Sequence, residues 1–379
     1  MARPARFERD PFYRENSKAV QWVGERDWIY QRTFDVPEEV LQNDRVLLRC
    51  EGLDTLATIK INGNEIGRAD NMFRLWEFDV KSALRADENK IEIIFESPFT
   101  YIKQRESNQT APDKFVKGPA WVRKEPCSFG WDWGPDLPSC GVWKNITLET
   151  FNQGRIADVL IIQNHSGKNV SLDVEVNAEI VGETKKTFHA ALTVLHEGKS
   201  IAQKTIEISD GKGRGELEIK NPKLWWPNGM GEQPLYEVHV ELLDANHKTI
   251  DSTSKRIGLR ELKIILPENG NPLQFAVNSV PFFAKGGNWI PCDSFTSRVT
   301  PEILCRYVTD AAVVHMNFLR FWGGGYYEDD ALFDACDEMG ICVWLDFKFA
   351  CTAYPAFDGQ FMDNVRLEAR DNLQRLRHH

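Results

Sequence analysis

Asn317-Phe-Leu-Arg-Phe-Trp-Gly-Gly-Gly-Tyr-Tyr-Glu-Asp-Asp-Ala-Leu-Phe-Asp-Ala-Cys-Asp-Glu-Met-Gly-Ile-Cys-Val-Trp-Leu-Asp-Phe347 is the stretch that decides the fold of the last third of this chain. Two short and almost wholly apolar runs, Asn317–Trp322 and Ile341–Phe347, flank a segment that opens with three acidic residues and stops at Gly340. Apolar runs of this length are typical of parallel strands covered on both faces, and acidic residues favour a helix start. The stretch therefore predicts a strand, a helix and a second, parallel strand.

The same alternation continues on both sides of this stretch. Thr300 and Pro301 predict the N-cap and first turn of a preceding helix, and another helix is expected from about Gly359. The apolar face of that last helix is expected to comprise Met362, Val365, Ala369, Leu373 and Leu376. Strands alternating with helices fit a doubly wound sheet or a barrel, and Gly323-Gly-Gly325 has neither the GxGxxG spacing nor the Walker lysine of a phosphate-binding loop. We therefore expect the first part of a (β/α)8 TIM barrel over residues 261–379, about half of a domain of roughly 250 residues.

The chain before this region is predicted to form short β-strands. Arg45–Glu51 and Ala57–Ile61 have strand character, with Asn62-Gly63 as the turn that follows them. Ser171–Ala178 and Tyr236–Leu243 continue the pattern at a spacing that suits a small sandwich. The sequence thus predicts a multidomain α and β protein with a β-sandwich over residues 1–152 and a second one over residues 153–260.

A turn-rich segment, Leu224-Trp-Trp-Pro-Asn-Gly-Met-Gly231, lies inside the second of these regions. Segments rich in Pro and Gly commonly anchor contacts between domains. We expect its tryptophans to pack on a neighbouring domain and not to bind a ligand.

Composition narrows the classes of function. The 379 residues carry a formal net charge of -10 with no basic block, which argues against nucleic acid as a partner. No run is long enough to span a bilayer, and the region from Met1 to Tyr13 has no apolar signal-peptide core. The eight cysteines form no Cys-x-x-Cys pair and the histidines have no metal-binding spacing, so no metal or cofactor is expected. Most cysteines are expected to be buried thiols, and the compartment stays open.

Phe129-Gly-Trp-Asp-Trp-Gly-Pro135 places one carboxylate between two indole rings, in a segment whose glycines and proline forbid a long helix or strand. Indole faces provide flat apolar area for the C–H face of a sugar, and Asp132 accepts directional hydrogen bonds from hydroxyl groups. The stretch predicts a saccharide clamp made by Trp131, Asp132 and Trp133. The alternative is a tryptophan-rich turn that fills a core.

The residues that end each barrel strand are the second candidate set, because barrel sites form at the C-terminal ends of the strands. Asn288 and Trp289 end the first strand, Arg320 and Trp322 the second, and Asp346 the third. For Arg320 the alternative is an ion pair with Asp346 that only braces the barrel.

Two aromatic residues at the third strand, Trp344 and Phe347, are expected to pack in the core instead of facing a ligand.

Five stretches together resemble the β-mannosidases of glycoside hydrolase family 2. They are Cys127-Ser-Phe-Gly-Trp-Asp-Trp-Gly-Pro135, Leu224-Trp-Trp-Pro227, Lys285-Gly-Gly-Asn-Trp-Ile-Pro291, Arg320-Phe-Trp-Gly-Gly-Gly325 and Asp346-Phe-Lys-Phe-Ala-Cys351. The resemblance runs from about Asp10 to the last residue. It implies a jelly-roll-like sugar-binding domain, an immunoglobulin-like sandwich and a (β/α)8 barrel. It also implies an exo-acting, retaining hydrolase that removes terminal β-D-mannose from β-mannosides.

By the same resemblance, Trp131, Asp132 and Trp133 reach from the first domain into the barrel mouth and contact the terminal mannose, and Asn288 joins them. Arg320 and Trp322 complete the expected substrate-binding set. The acid/base and nucleophilic glutamates are expected beyond residue 379, and the first domain is expected to lack its initial strands. This chain alone is therefore predicted to be inactive.

Two other functions remain open at this point. One is a non-catalytic carbohydrate-binding protein that uses the same clamp. The other is a relative within the family that cleaves β-galactosides, β-glucuronides or β-glucosaminides, since the Trp-Asp-Trp triplet indicates mannose by resemblance only.

Overall fold

A computed structural model describes residues 10–108, 115–182, 187–266 and 273–379. The first region is a β-sandwich of two antiparallel sheets, with strand orders β1-β7-β4-β5 and β11-β2-β6. Its strands are β1 (Trp28–Phe34), β2 (Arg45–Cys50), β3 (Leu53–Asp54), β4 (Ala57–Ile61), β5 (Asn64–Ala69), β6 (Trp76–Asp79), β7 (Asn89–Phe95), β8 (Phe129–Trp131), β9 (Gly134–Asp136), β10 (Gly141–Val142) and β11 (Ile146–Phe151). Its helices are α1 (Asn16–Ala19), α2 (Glu38–Leu41) and α3 (Pro98–Ser107).

The core of this first sandwich comes from alternate residues of facing strands. Val46 and Leu48 of β2 meet Ile59 and Ile61 of β4, and all four are buried. The turn between β4 and β5 has positive φ at both central residues, 53° and 83°, which is the conformation that an Asn-Gly pair favours. The predicted hairpin is confirmed.

The second region is a sandwich of seven strands with strand orders β12-β13-β16 and β15-β14-β17-β18. The strands are β12 (Gly154–Ser166), β13 (Asn169–Ile180), β14 (Phe188–His196), β15 (Lys199–Ile208), β16 (Lys212–Lys220), β17 (Leu235–Leu243) and β18 (Thr249–Gly258). Side chains of β13 alternate between buried and partly exposed along most of its length, as expected for a sheet with one face in the core.

The third region begins with a small antiparallel sheet and continues with three parallel strands, β22, β23 and β24. Its elements are β19 (Leu262–Ile265), β20 (Gln274–Val277), β21 (Val280–Phe282), β22 (Gly286–Trp289), α4 (Pro301–Val313), β23 (Phe318–Phe321), α5 (Asp330–Met339), β24 (Cys342–Leu345) and α6 (Gly359–Leu376). The Thr300 hydroxyl caps α4 by accepting from the Ile303 amide, and Gly340 ends α5 with a φ of 73°. The strand–helix–strand prediction for residues 317–347 is confirmed, and no helix in the described part of the chain is long and apolar enough to cross a membrane.

The turn-rich segment at residues 224–231, inside the second sandwich region, packs on the third region as predicted. Trp225 is buried and its indole nitrogen donates to the carbonyl oxygen of Asp337 in α5 at 2.7 Å. The side-chain amide of Asn228 donates to the carbonyl oxygens of Ala312 and Met316, each at 2.8 Å. Trp225 therefore fixes the second sandwich on the third region.

Two sequence-based expectations about burial are wrong. Leu373, assigned to the apolar face of α6, is 55 % exposed, whereas Glu368 and Asn372 of the same helix are buried. The buried face of α6 is the one that meets the first sandwich, and polar groups make that contact. Trp344 and Phe347 are also about half exposed, although the Trp344 ring has an edge-to-face contact with Phe275 at a centroid distance of 6.2 Å.

A buried ion pair joins the first sandwich to α6. Arg123 donates from Nε and Nη2 to the two carboxylate oxygens of Glu368 at 2.8 and 2.7 Å. Asn71 and Tyr327 donate to the same carboxylate at 2.9 and 3.2 Å. Arg123 and Glu368 are 2 % and 1 % exposed, so their charges are satisfied by each other and not by water.

Glu125, two residues after Arg123, lies at the same interface and is buried. Burial raises the pKa of its carboxyl group to about 8, opposed by the charge of the adjacent Lys124 and assisted by those of Asp54 and Glu328. The Lys124 ammonium is itself paired with Asp54. The Glu125 carboxyl therefore holds a proton in the folded state at pH values where an exposed glutamate is ionised.

Replacement of Glu368 by Gln should lower the free energy of unfolding by about 3–5 kcal/mol, because the Arg123 charge then stays buried without its partner. The matched control is Asp363→Asn in the same helix, where an exposed ion pair with Arg366 contributes little. Urea denaturation followed by tryptophan fluorescence measures both. Equal effects of the two substitutions would contradict the role given to Glu368.

Glu125→Gln should change how stability depends on pH. The folded-state pKa of Glu125 lies above its ordinary value of 4.5, so the folded state binds more protons between pH 4.5 and about 8, and stability falls as pH rises through that window. The loss amounts to about 1.4 kcal/mol for each unit of pKa difference. The free energy of unfolding, measured by denaturation at several pH values in this range, should depend less on pH for Glu125→Gln than for the exposed control Glu39→Gln. The same pH dependence in both variants would refute the assignment.

Candidate functional site

The Trp-Asp-Trp stretch forms a short β-hairpin at the edge of the first sandwich. Strands β8 and β9 pair antiparallel, with Trp131 opposite Gly134, so Asp132 and Trp133 occupy the turn. The hairpin base is fixed by an edge-to-face contact between Phe129 and Phe99, with ring centroids 5.8 Å apart. A two-residue turn on a fixed base holds its side chains away from the sheet.

Trp322, in the loop after β23, meets both indoles of this hairpin. Its ring centroid lies 4.8 Å from that of Trp131 and 5.9 Å from that of Trp133, both in edge-to-face geometry. Trp322 folds back over Gly324, where an added Cβ would lie 1.8 Å from the ring. The amide of Cys127, at the root of the hairpin, donates to the Gly324 carbonyl oxygen at 2.9 Å. Two domains thus contribute to one aromatic cluster.

A polar group occupies the same end of the parallel sheet. Asn288 of β22 and Arg320 of β23 are neighbours in register, and Asp346 directly follows β24. Arg320 Nη1 donates to Asn288 Oδ1 at 3.2 Å, while Nε and Nη2 donate to the two carboxylate oxygens of Asp346 at 3.3 and 2.5 Å. The ion pair that was the alternative for Arg320 therefore exists, and it also orients Asn288.

The structure arranges the predicted site residues in two groups and leaves the carboxylate of one of them exposed. Trp131, Trp133 and Trp322 form the aromatic cluster, and Arg320, two residues before Trp322, holds Asn288. Asp132 is exposed at the tip of the hairpin, and its carboxylate makes no hydrogen bond within the described ranges. Its oxygens are thus open to a ligand.

We call the aromatic cluster together with Asn288, Arg320 and Asp346 the rim. Two buried ionisable residues contact the rim or a residue next to it, and the sequence analysis did not identify them. The Lys348 ammonium donates to the Trp322 carbonyl oxygen at 3.3 Å, and burial lowers its pKa to about 8. Glu328 accepts from the Trp289 indole nitrogen at 2.8 Å, and burial raises its pKa to about 7.

The local sequence carried little signal for either residue. Glu328 looked like a charge at a helix start, but α5 begins at Asp330 with Asp329 as its N-cap. Lys348 follows the third strand by three residues, and that position was the available hint.

Three side chains of types that can bind a metal ion form a cluster that includes none of the predicted site residues. Oxygen or nitrogen atoms of Asp334, Asp337 and His379 are within 4.8 Å of one another. Their ligand atoms are already used, because Arg256 binds Asp334 and the His379 ring bonds to Asp337 at 2.8 Å. This cluster fits an ion-pair network better than a metal site.

A crevice of about 1280 Å³ lies between the two sandwiches and the outer helices, and none of the predicted site residues lines it. Charged pairs such as Arg155 with Glu77 and Arg256 with Asp334 face it. Because these charges satisfy each other, the aromatic rim is the better candidate site.

Comparison with known proteins agrees with this architecture. A family model described as the glycosyl hydrolase 2 galactose-binding domain-like matches residues 4–144, and the model of glycosyl hydrolases family 2 matches residues 154–260. The two matches cover the two sandwich regions.

Relatives extend the similarity to the whole chain. A protein of Thermothelomyces thermophilus named beta-mannosidase B is 36 % identical, and beta-mannosidase of Bos taurus is 34 % identical, over 98 % and 99 % of this chain and 44 % of each relative. The crystal structure of a beta-D-mannosidase from Dictyoglomus thermophilum has 39 % identity and a TM-score of 0.91, over 98 % of this chain and 46 % of that one. The chain thus spans less than half of the length of these relatives. It belongs to glycosyl hydrolase family 2.

Proposed function

We propose that this chain is the substrate-recognition part of an exo-acting, retaining glycoside hydrolase that releases terminal β-D-mannose from β-mannosides. The observation that carries the proposal is the contact of Trp131 and Trp133, from the first sandwich, with Trp322 at the barrel rim. Aromatic faces beside a polar rim suit a sugar, which is apolar on its C–H face and polar at its edge. The relatives named above, all called beta-mannosidases, support mannose as the sugar.

Within this proposal each rim residue has a defined part. The indoles of Trp131 and Trp133 border the terminal sugar, and Asp132 accepts hydrogen bonds from its hydroxyl groups. Asn288 donates from its amide nitrogen, since its oxygen is engaged by Arg320. Arg320 and Trp322 keep these groups in place, which limits the ordering cost on binding.

The finer description of the fold belongs to the same proposal. We assign a jelly-roll-like sugar-binding domain to residues 1–152, an immunoglobulin-like sandwich to residues 153–260, and the first part of the catalytic (β/α)8 barrel to residues 261–379. The seven-stranded arrangement of the second sandwich and the three parallel strands β22–β24 support this division.

Retaining hydrolysis needs two carboxyl groups about 5 Å apart, one protonated to assist the leaving oxygen and one ionised to attack the anomeric carbon. Asp346 suits neither role, because both of its oxygens are held by Arg320. Asp132 is reserved for the substrate hydroxyls. From the resemblance to the β-mannosidases of glycoside hydrolase family 2, we expect both catalytic glutamates beyond residue 379 and propose that no residue of this chain is the nucleophile or the acid/base.

Asp132→Ala in the full-length protein that contains this chain should lower kcat/KM for an aryl β-mannoside roughly a hundredfold or more, because charged hydrogen bonds to the sugar are lost. Asp136→Ala, on the same hairpin, is the matched control and should have little effect. Steady-state kinetics measure both.

A panel of aryl β-mannoside, β-galactoside, β-glucuronide and β-glucosaminide identifies the sugar, and a preference for any sugar other than mannose would contradict the proposal.

Residues 1–379 expressed alone should release no nitrophenol from an aryl β-mannoside, since both catalytic carboxyls are expected outside them. The full-length protein serves as the positive control in the same assay. Turnover that stays with the purified 379-residue chain would show that the catalytic groups lie within it. If the full-length protein binds β-mannosides but does not cleave them, a non-catalytic carbohydrate-binding function replaces the hydrolase.

A further inference from the structure

The segment before β1, residues 10–27, contacts both the Trp-Asp-Trp hairpin and the loop after β22. The proposed function gives this segment no role. The Gln21 side chain donates to the carbonyl oxygen of Asp136 in β9 at 2.6 Å. The Phe12 ring packs edge-to-face on Phe295, in the loop after β22, with centroids 5.8 Å apart. The segment thus bridges the hairpin that carries Trp131 and the loop that follows Asn288.

Two adjacent aromatic side chains at the start of this segment face solvent. Phe12 is 44 % exposed and Tyr13 is 58 % exposed. Their backbone is nevertheless held locally: Asp10 accepts from the Phe12 amide at 2.9 Å, and Asn16 donates to the Asp10 carbonyl oxygen at 2.8 Å. Neighbouring apolar rings that stay exposed on a held backbone are typical of a ligand-contacting surface.

A fixed arginine supports one of these rings. The Arg298 guanidinium lies 5.3 Å from the ring centroid of Phe12 and 5.1 Å from that of Phe295. Arg298 Nε donates to Asp293 at 2.9 Å, and the same carboxylate accepts from the Phe295 amide at 2.8 Å. The charge of Arg298 is therefore balanced by Asp293, so the surface at Phe12 suits a neutral ligand, while the Arg14 guanidinium lies 5.1 Å from the ring centroid of Tyr13.

We propose that Phe12 and Tyr13 form an aromatic platform for the sugar unit next to the terminal mannose, on the leaving-group side of the bond that is cleaved. This inference rests on the proposed function. In an exo-acting enzyme the terminal unit enters first and the next unit lies nearer to solvent. Phe12 and Tyr13 are more exposed than Trp131, and their segment is continuous with the rim.

The test uses the full-length protein with the variants Phe12→Ala and Tyr13→Ala. Tyr13 is the more exposed of the two rings, whereas Phe12→Ala also removes the contact with Phe295. Trp22→Ala is the matched control, because this exposed ring of the same segment packs on Trp28 of the first sandwich. The substrates are mannobiose, which occupies both positions, and methyl β-D-mannoside, which has no second sugar. Free mannose as a competitive inhibitor reports on the terminal position alone.

Both platform variants should raise KM for mannobiose about three- to tenfold, the loss expected for one aromatic contact. The KM for methyl β-D-mannoside and the inhibition constant of mannose should stay within about twofold of the parent values. The Trp22→Ala control should leave all three values unchanged.

Three outcomes would overturn the inference. Unchanged mannobiose kinetics in both variants would remove the platform while leaving the hydrolase intact. Equal changes for mannobiose and methyl β-D-mannoside would place Phe12 and Tyr13 at the terminal sugar instead. If the unmodified protein hydrolyses no β-mannoside, the proposed function fails first and the platform fails with it.

Discussion

The buried ion pair between Arg123 and Glu368 is the contact on which the arrangement of the first sandwich and the third region, with its three parallel strands, depends. Each charge has lost its water, so each requires the other, and a partly docked interface would leave both uncompensated. Arg123 also lies 4.4 Å from the ring centroid of Phe349, in the loop after β24. Cys127, whose amide holds the loop at Gly324, follows Arg123 by only four positions. The position of the aromatic hairpin over the rim therefore follows from a charge pair at a distance from any sugar.

Much of the fold could be predicted because the signals are local. The Asn62-Gly63 pair adopts the positive φ values that define its hairpin, and Thr300 and Gly340 mark helix ends by side-chain capping and a left-handed backbone. The rim residues also followed from a simple rule. In a parallel sheet, the residues that leave adjacent strands at one edge are neighbours in space, as Asn288 and Arg320 are.

What the sequence did not reveal are buried polar contacts between residues that lie 26 to 245 positions apart along the chain. Glu368 sits in a helix whose apolar periodicity suggested a different buried face, and only the docked first sandwich explains its burial. From the sequence, Glu328 was expected to be a charged residue at a helix start, but it is buried and accepts a hydrogen bond from the Trp289 indole nitrogen. Lys348 has no periodic neighbour that indicates its role. The burial of such groups depends on partners outside the local sequence, such as Arg123 for Glu368 and Trp289 for Glu328, which local patterns do not encode.

The division of the aromatic cluster between two domains has a consequence for biosynthesis. Trp131 leaves the ribosome long before Trp322, with an interval on the order of 10 s at ordinary elongation rates. During that time the nascent sandwich presents its indoles without their counterpart, in a crowded environment where unpaired apolar rings attract other chains. The cluster is completed only when Trp322 emerges and docks, so it forms late and reports on correct assembly of the two regions that contribute to it.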